Sequence, residues 1–252
     1  MNLTVDQILN QAISAHQEGK LEEAEKNYKK IIKLNPDHVV ALVNLGTLFQ
    51  TQGKIEDAEL SFKKAINITP DFAEAYFNLA NLYQFIRSEK AEVTYKKAIE
   101  FKPNYVLAYI NLGTLFQRLG KFEEAEASFK KGIDLKPDFA EAYFNLGNTQ
   151  KILKKFKQAE TSFKKAIKLK PDLTVVYDNL GNILMELGKY EEAQVNYNKG
   201  IEFNSKYSKE HISKGGGART DPGYEKVIIV KAQNSFDKGE FELALKGFDE
   251  CN

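Results

Sequence analysis

The chain is poor in the residues that usually carry covalent chemistry or cross-links. Among its 252 residues it has one cysteine, no tryptophan and three histidines. A single cysteine, Cys251, cannot form an internal disulfide, so the fold does not depend on an oxidising compartment. No apolar run approaches the roughly 18 residues that a membrane span needs, and residues 1–6 lack the pattern of a signal peptide. These absences predict a cytoplasmic protein without a membrane segment.

The chain also has little net charge and no recognisable catalytic motif. Its 36 basic and 35 acidic residues leave a net charge of +1, which offers no bulk attraction to nucleic acid or to an anionic membrane. His16, His38 and His211 are far apart in the sequence and lack metal-ligand spacing. The glycine run at 215–217 lacks the Gly-Lys-Ser/Thr ending of a phosphate loop and indicates a linker. The sequence therefore predicts a non-enzyme without catalytic residues, metal or cofactor.

Proline is rare, but five of the six prolines are periodic. They stand at 36, 70, 103, 137 and 171, with spacings of 34, 33, 34 and 34 residues. Self-similarity at this period indicates a solenoid of helix–turn–helix repeats. Such an array presents an extended surface, so its function is to be sought in what the repeats offer to a partner.

Aligning the chain on these prolines gives six repeats that share one pattern. Position one of the repeats is Val5, Val39, Ala73, Val106, Ala140 and Thr174. Apolar residues at positions four and seven mark a first helix, and a small residue at position eight allows a close approach to a second helix. The second helix carries an alanine and, four residues later, an aromatic residue: Tyr28, Phe62, Tyr95, Phe129, Phe163 or Tyr197.

This pattern resembles the tetratricopeptide repeat family over residues 5–204. The resemblance implies an all-α fold, a right-handed superhelical solenoid of antiparallel helix pairs whose first helices line the concave face. Two repeats depart from the pattern. The third is one residue short between Tyr83 and Ala91 and lacks the turn glycine, and the fifth has Lys154 in place of that glycine.

The regular pattern ends after the sixth repeat. We divide the chain into six repeats at 1–204, a flexible linker at 205–224 and a degenerate or truncated seventh repeat at 225–252. Because no clear polar cap closes the array, two hypotheses follow. The chain is a protein-binding scaffold, or it is the N-terminal substrate-recruiting arm of a larger enzyme, a transferase or oxygenase, whose catalytic domain lies beyond residue 252. Uncapped helices also offer a route to homo-oligomers.

Asparagine occupies position six in every repeat. The six residues are Asn10, Asn44, Asn78, Asn111, Asn145 and Asn179. Asparagine costs helix stability relative to alanine, whereas its amide offers the donor and the acceptor that match an extended peptide backbone. The row resembles the asparagine ladder in the repeat domain of O-linked N-acetylglucosamine transferase, where equivalent residues hold the substrate main chain. The alternative is a structural role in bridging adjacent helices.

Positions five and nine extend this candidate peptide-binding surface. Position nine lies on the same face as position six and contributes Asn81, Asn148 and Asn182, while position five contributes Phe77 and Phe144 as side-chain platforms. The surface suits an extended and mostly neutral peptide. The alternative for position five is packing between neighbouring repeats. No basic residue occupies position six, which argues against a clamp for a C-terminal carboxylate.

The second helices carry lysine pairs that could suggest nucleic-acid binding. In five repeats a glutamate precedes the first lysine by four residues: Glu25, Glu59, Glu92, Glu126 and Glu160. Glutamate four residues before lysine is the favourable helical pairing, so these lysines are neutralised locally. We therefore expect a solvated convex face and no nucleic-acid partner.

Overall fold

Pairs of helices form all of the regular structure in the described part of the chain. The computed structural model describes residues 3–86 and 88–213, which contain twelve helices and no strand. The first helices of the repeats are α1 (Val5–Gln17), α3 (Val39–Thr51), α5 (Ala73–Ile86), α7 (Val106–Arg118), α9 (Ala140–Ile152) and α11 (Val175–Glu186). The second helices are α2 (Leu21–Leu34), α4 (Ile55–Ile68), α6 (Ser88–Phe101), α8 (Phe122–Leu135), α10 (Phe156–Leu169) and α12 (Tyr190–Ser213). The predicted all-α fold of helix pairs is confirmed.

A tight turn with a left-handed residue joins the helices of most repeats. In the first repeat Gly19 has φ +75°, and the amide of Lys20 donates to the carbonyl of Ala15 at 2.8 Å. This bond across six residues is the Schellman closure of a helix. The same closure recurs at the turns that end α3, α7, α9 and α11. It reverses the chain within three residues, so the second helix returns along the first.

The fifth repeat makes this turn without glycine. Lys154 takes the left-handed conformation with φ 56°, and it is the one described non-glycine residue with a positive φ. The amide of Lys155 still donates to the carbonyl of Gln150 at 2.8 Å. The repeat therefore keeps its turn at the cost of backbone strain.

The two helices of a repeat pack through one aromatic ring against one small residue. A Cβ atom added to Gly46 would lie 2.6 Å from Cε1 of Phe62, and one added to Gly113 would lie 2.8 Å from Cε1 of Phe129. Both rings are fully buried. Position eight is therefore small because the ring occupies the space that a side chain would need.

The two helices of the third repeat are closer in sequence than those of the others, as the shorter spacing predicts. Only residue 87 separates α5 from α6, whereas three residues separate the helices of the other repeats. Ala80 and Tyr95 still hold the small and aromatic positions and are fully buried. Arg118 donates from Nη2 to the main-chain carbonyl of Gln84 near the end of α5, at 2.6 Å. The neighbouring repeat thus holds the end of this helix.

The chain divides into two compact units. Unit 1 spans Met1–Lys136 and contains α1 to α8, and unit 2 spans Pro137–Asn252 and contains α9 to α12. Within each unit every helix contacts the next along the chain. The core of unit 2 is built around Phe163, Leu180, Leu184 and Tyr197, all at most 3% exposed.

The end of the described chain differs from the predicted linker in one respect. Helix α12 continues to Ser213, so residues 205–213 are helical. The rest of the linker, the seventh repeat and Cys251 lie outside the described residues, and the domain boundaries there stay predictions. Within residues 3–86 and 88–213, no helix has both the length and the apolar character that crossing a membrane requires.

Candidate functional site

The first helices bring the position-six side chains onto one face of each unit. In unit 1, α1 contacts α3, α3 contacts α5 and α5 contacts α7; in unit 2, α9 contacts α11. Each position-six residue stands at the same phase of its helix, two residues before the small residue at position eight. The four asparagines of unit 1 and the two of unit 2 therefore form two separate rows, which are described in turn.

Two asparagines of unit 1 keep their amides unengaged by protein. Asn10 on α1 is exposed and Asn44 on α3 is half-buried. Neither side chain forms a hydrogen bond with another residue of the described chain. Each carboxamide therefore has a donor and an acceptor available to a ligand.

The other two asparagines of this row are engaged within the fold. Asn78 donates from Nδ2 to the main-chain carbonyl of Glu74 at 2.9 Å, one turn back on its own helix. Asn111 donates from Nδ2 to Oδ1 of Asn81 at 2.8 Å and so links α7 to α5. Position six is thus not a uniform ladder, because its members have different partners.

Asn81 is the centre of a half-buried hydrogen-bond network. Its Oδ1 accepts from the hydroxyl of Tyr95 at 2.7 Å as well as from Asn111. The Tyr95 side chain is fully buried, and burial raises the pKa of its hydroxyl. The amide therefore gives a close partner to a hydroxyl that is costly to bury without one, beside a longer contact of 3.3 Å with Oε1 of Gln84. The bond from Asn111 also bridges α7 and α5, which is the kind of contact that the structural alternative for position six describes.

Asparagines in unit 2 are also largely engaged. Asn179 donates to the carbonyl of Val175 at 2.9 Å and accepts from Nζ of Lys151 at 2.7 Å. Asn182 accepts from the hydroxyl of Tyr197 at 2.9 Å, which repeats the arrangement of Asn81 and Tyr95. Asn145 and Asn148 are half-buried on α9.

Phe77 and Phe144 are half-buried against other aromatic rings. The ring of Phe77 lies 4.8 Å from that of Tyr105, which precedes α7, and 6.2 Å from that of Tyr95. The Phe144 ring lies 6.2 Å from that of Phe163 on α10. Phe77 therefore packs between neighbouring repeats, as the alternative interpretation expected, while both rings keep part of their surface exposed.

A cavity of about 300 Å³ lies between the first two repeats of unit 1. It is lined by six residues from α1, α2 and α3: Ile13, His16, Gln17, Tyr28, Asn44 and Thr47. Asn44 belongs both to the lining of this cavity and to the position-six row. The sequence pattern did not indicate Ile13, His16 or Tyr28 as site residues. One signal was present in the sequence. Three repeats have a tyrosine at the aromatic position of the second helix, and position nine is asparagine in two of them but Ile13 in the first.

The lining of this cavity combines apolar and polar groups and carries no permanent charge. Tyr28 is fully buried, its hydroxyl has no hydrogen-bond partner among the described residues, and burial raises its pKa to about 12. Burial lowers the pKa of His16, whose ring packs edge-on to Tyr28 at 6.3 Å. Both groups are therefore neutral near pH 7. The cavity can exchange hydrogen bonds, but it offers no counter-charge to an ion.

The second helices carry the paired charges that the sequence predicts. Lysine Nζ lies 2.6–2.7 Å from the glutamate four residues earlier in all five repeats. Glu25, Glu92 and Glu160 also bind the lysine that immediately precedes the next second helix, as Glu92 does with Lys121 at 2.7 Å. These lysines are locally neutralised, which fits the expected solvated face. In the described part of the chain, no group of three or more His, Cys, Asp or Glu side chains could hold a metal ion.

Comparisons with known families agree with this architecture. Four models of the tetratricopeptide repeat match the chain, at residues 8–38, 73–105 and 175–207, at 27–59 and 94–127, at 51–84 and 118–153, and at 140–173. Together they cover most of the sequence. The chain belongs to the tetratricopeptide repeat family.

Several solved structures share the fold. MamA is 27% identical with a TM-score of 0.58, over 68% of this chain and 97% of MamA. YrrB, a TPR protein with an unusual peptide-binding site, is 20% identical with a TM-score of 0.61, over 70% of this chain and 91% of its own. The type IV pilus biogenesis factor PilW is 20% identical with a TM-score of 0.70, over 90% and 100%. No curated protein matches the chain.

Proposed function

We propose that this protein is a non-enzymatic scaffold that binds an extended, mostly neutral peptide segment of a protein partner along the first helices of unit 1. The observation that carries this proposal is the pair of unengaged amides, Asn10 and Asn44, on the contacting helices α1 and α3. Together they offer two donors and two acceptors on one face. An extended peptide backbone presents the complementary groups.

The surroundings of these amides favour a neutral ligand. The cavity beside Asn44 has no charged residue in its lining, and burying an unpaired charge is costly. Asn78 lies further along the same row, on α5, and its bond to Glu74 uses only one donor of the carboxamide. The peptide would thus cross α1, α3 and α5. YrrB shares this fold and has a peptide-binding site, which is compatible with the proposal.

The proposal is tested with a random twelve-residue peptide library selected on the whole chain. Affinities of recovered peptides are then measured by fluorescence anisotropy for the wild type and for the triple variant Asn10→Ala, Asn44→Ala, Asn78→Ala. We expect the triple variant to lose most of its affinity while its melting temperature stays close to that of the wild type. Affinity should change little with salt, because the contacts are between neutral groups.

A matched control separates binding from folding. Asn81→Ala removes an amide of the same type from the same helix as Asn78, but it takes the 2.7 Å partner from the buried Tyr95 hydroxyl and leaves only the longer contact of 3.3 Å with Gln84. We expect this variant to lose about 1–3 kcal/mol of stability. Recovery of no peptide by the wild type, or full binding by the triple variant, would contradict the proposal.

A further inference from the structure

The buried tyrosine of the first repeat differs from its counterparts in one contact. Tyr95 and Tyr197 both donate their hydroxyl to the asparagine at position nine of their own repeat, at 2.7 and 2.9 Å. In the first repeat position nine is Ile13, and the Tyr28 hydroxyl has no partner among the described residues. Of the three tyrosines at this repeat position, Tyr28 is therefore the one whose hydroxyl has no acceptor among the described residues.

A cavity lies beside the buried Tyr28 side chain. Ile13 and Tyr28 both line the cavity of about 300 Å³ between the first and second repeats. By equivalence with Tyr95 and Tyr197, the Tyr28 hydroxyl lies at the side of the ring nearest Ile13. Asn44, whose amide is also unengaged, lines the same cavity together with Thr47, whose hydroxyl donates to the carbonyl of Val43 at 3.1 Å. Unused hydrogen-bonding groups therefore meet there from α2 and α3.

We propose that this cavity is a specificity pocket that receives one carboxamide side chain, asparagine or glutamine, of the bound peptide. The inference rests on the proposed peptide-binding function and adds a preference at one position. In the bound state the ligand amide oxygen accepts from the Tyr28 hydroxyl. The ligand amide exchanges its remaining hydrogen bonds with the carboxamide of Asn44.

The chemistry of the lining selects a carboxamide over other side chains. A carboxylate or an ammonium group would enter a cavity that has no fixed counter-charge. An aliphatic side chain would leave the buried tyrosine hydroxyl without a hydrogen-bond partner. A carboxamide reproduces the partner that the chain itself gives to Tyr95 and Tyr197. The volume is at the lower end of the range for ligand pockets, which suits a single side chain.

Two variants outside the asparagine row test this pocket. Tyr28→Phe removes only the hydroxyl, and phenylalanine already fills the same position in three other repeats, at Phe62, Phe129 and Phe163. Ile13→Asn gives Tyr28 an asparagine at position nine, as Tyr95 and Tyr197 have, so that the tyrosine hydroxyl is bonded within the protein and not to the ligand. Ile13→Leu is the control for side-chain volume. All are made in the whole chain, and folding is checked by thermal melting.

The probes are peptides selected from the random library on the wild-type chain. We expect asparagine or glutamine to be enriched at one peptide position. For such a peptide, Tyr28→Phe and Ile13→Asn should each weaken binding by about five- to tenfold, the value of one neutral hydrogen bond. Ile13→Leu should bind like the wild type. Changing the peptide carboxamide to leucine should weaken wild-type binding and abolish the effect of Tyr28→Phe.

The outcomes distinguish this inference from the proposed function. Selected peptides without an amide-bearing position, or equal binding by the wild type and Tyr28→Phe, would overturn the pocket while leaving peptide binding along unit 1 in place. Preference for a carboxylate at that position would overturn the proposed selection of a neutral carboxamide by this pocket. Recovery of no peptide at all would overturn both proposals.

Discussion

At the scale of single residues, Lys154 shows a local conflict between side chain and backbone. It holds the left-handed conformation that glycine supplies in four other turns of the chain. A non-glycine residue in this conformation destabilises the folded state by roughly 1–2 kcal/mol. Replacing it by glycine removes this strain, but glycine also increases the conformational entropy of the unfolded chain, which offsets part of the gain. The strain is kept because the surrounding turn closes with the same hydrogen bonds as its counterparts.

We predict that Lys154→Gly stabilises the protein by about 0.5–1 kcal/mol. The free energy of unfolding is measured by urea denaturation. Lys154→Ala, which shortens the side chain but keeps the steric restriction, is the control and should give little gain. A lower stability for Lys154→Gly would show that the lysine side chain, and not its backbone, decides the energy of this turn.

Residues of one type at one repeat position also have different partners. Asn10 and Asn44 are unengaged, Asn78 binds its own helix, and Asn111 binds the neighbouring helix. Their common phase could be predicted from the 34-residue period, because a repeat places equivalent residues at equivalent points of the helix. Their partners could not be predicted in this way, because each partner belongs to a different side chain packed nearby.

At the scale of helices, glutamate–lysine contacts join successive second helices. Glu92 on α6 binds Lys96 on its own helix and Lys121, which precedes α8. The hydrogen bond from Lys121, and then that from Lys96, holds the pKa of Glu92 below its ordinary value of 4.5. The carboxylate therefore releases its proton more readily in the folded protein than in the unfolded chain.

The sign of the resulting pH dependence follows from this shift. Because the folded pKa is the lower one, the stabilisation by Glu92 is present above pH 4.5 and is lost as the pH falls through the folded pKa. We predict that Glu92→Gln is less stable than the wild type at pH 7 and that the two converge in acid. Urea denaturation at a series of pH values measures this difference.

Glu22 provides the matched control for this measurement. It is exposed in the first turn of α2 and makes no ion pair with another described residue. Glu22→Gln should leave the dependence of stability on pH close to that of the wild type. If Glu92→Gln and Glu22→Gln gave the same curve, the contacts with Lys96 and Lys121 would have no energetic role.

At the scale of the whole molecule, the packing is sequential within each unit. In unit 1 every helix contacts its neighbours along the chain, and the rings of Phe62 and Phe129 on second helices fill the space beside Gly46 and Gly113 on the first helices. Arrays of this kind derive their stability from single repeats and from contacts between nearest neighbours. A stretch that keeps complete repeats should therefore fold independently.

We predict that the fragment 1–136, which is unit 1, is helical and unfolds cooperatively in urea. Circular dichroism at 222 nm (about the wavelength of the helix signal) measures the transition. The fragment 1–120 lacks α8 and with it Phe129, the ring that packs against Gly113. It should be clearly less stable, because α7 loses its covering helix. Equal stability of the two fragments would contradict sequential packing.

The sequence by itself determined the helix pairs, their period and the phase of the position-six asparagines, since these depend on spacing along one chain. It also predicted the Glu–Lys pairs, because residues four apart on a helix are neighbours wherever the helix lies. Only the tertiary structure decided which amides are free. The Tyr95–Asn81–Asn111 network and the cavity around Tyr28 join residues that stand on different helices. Their contacts depend on how neighbouring helices pack, which no local pattern records.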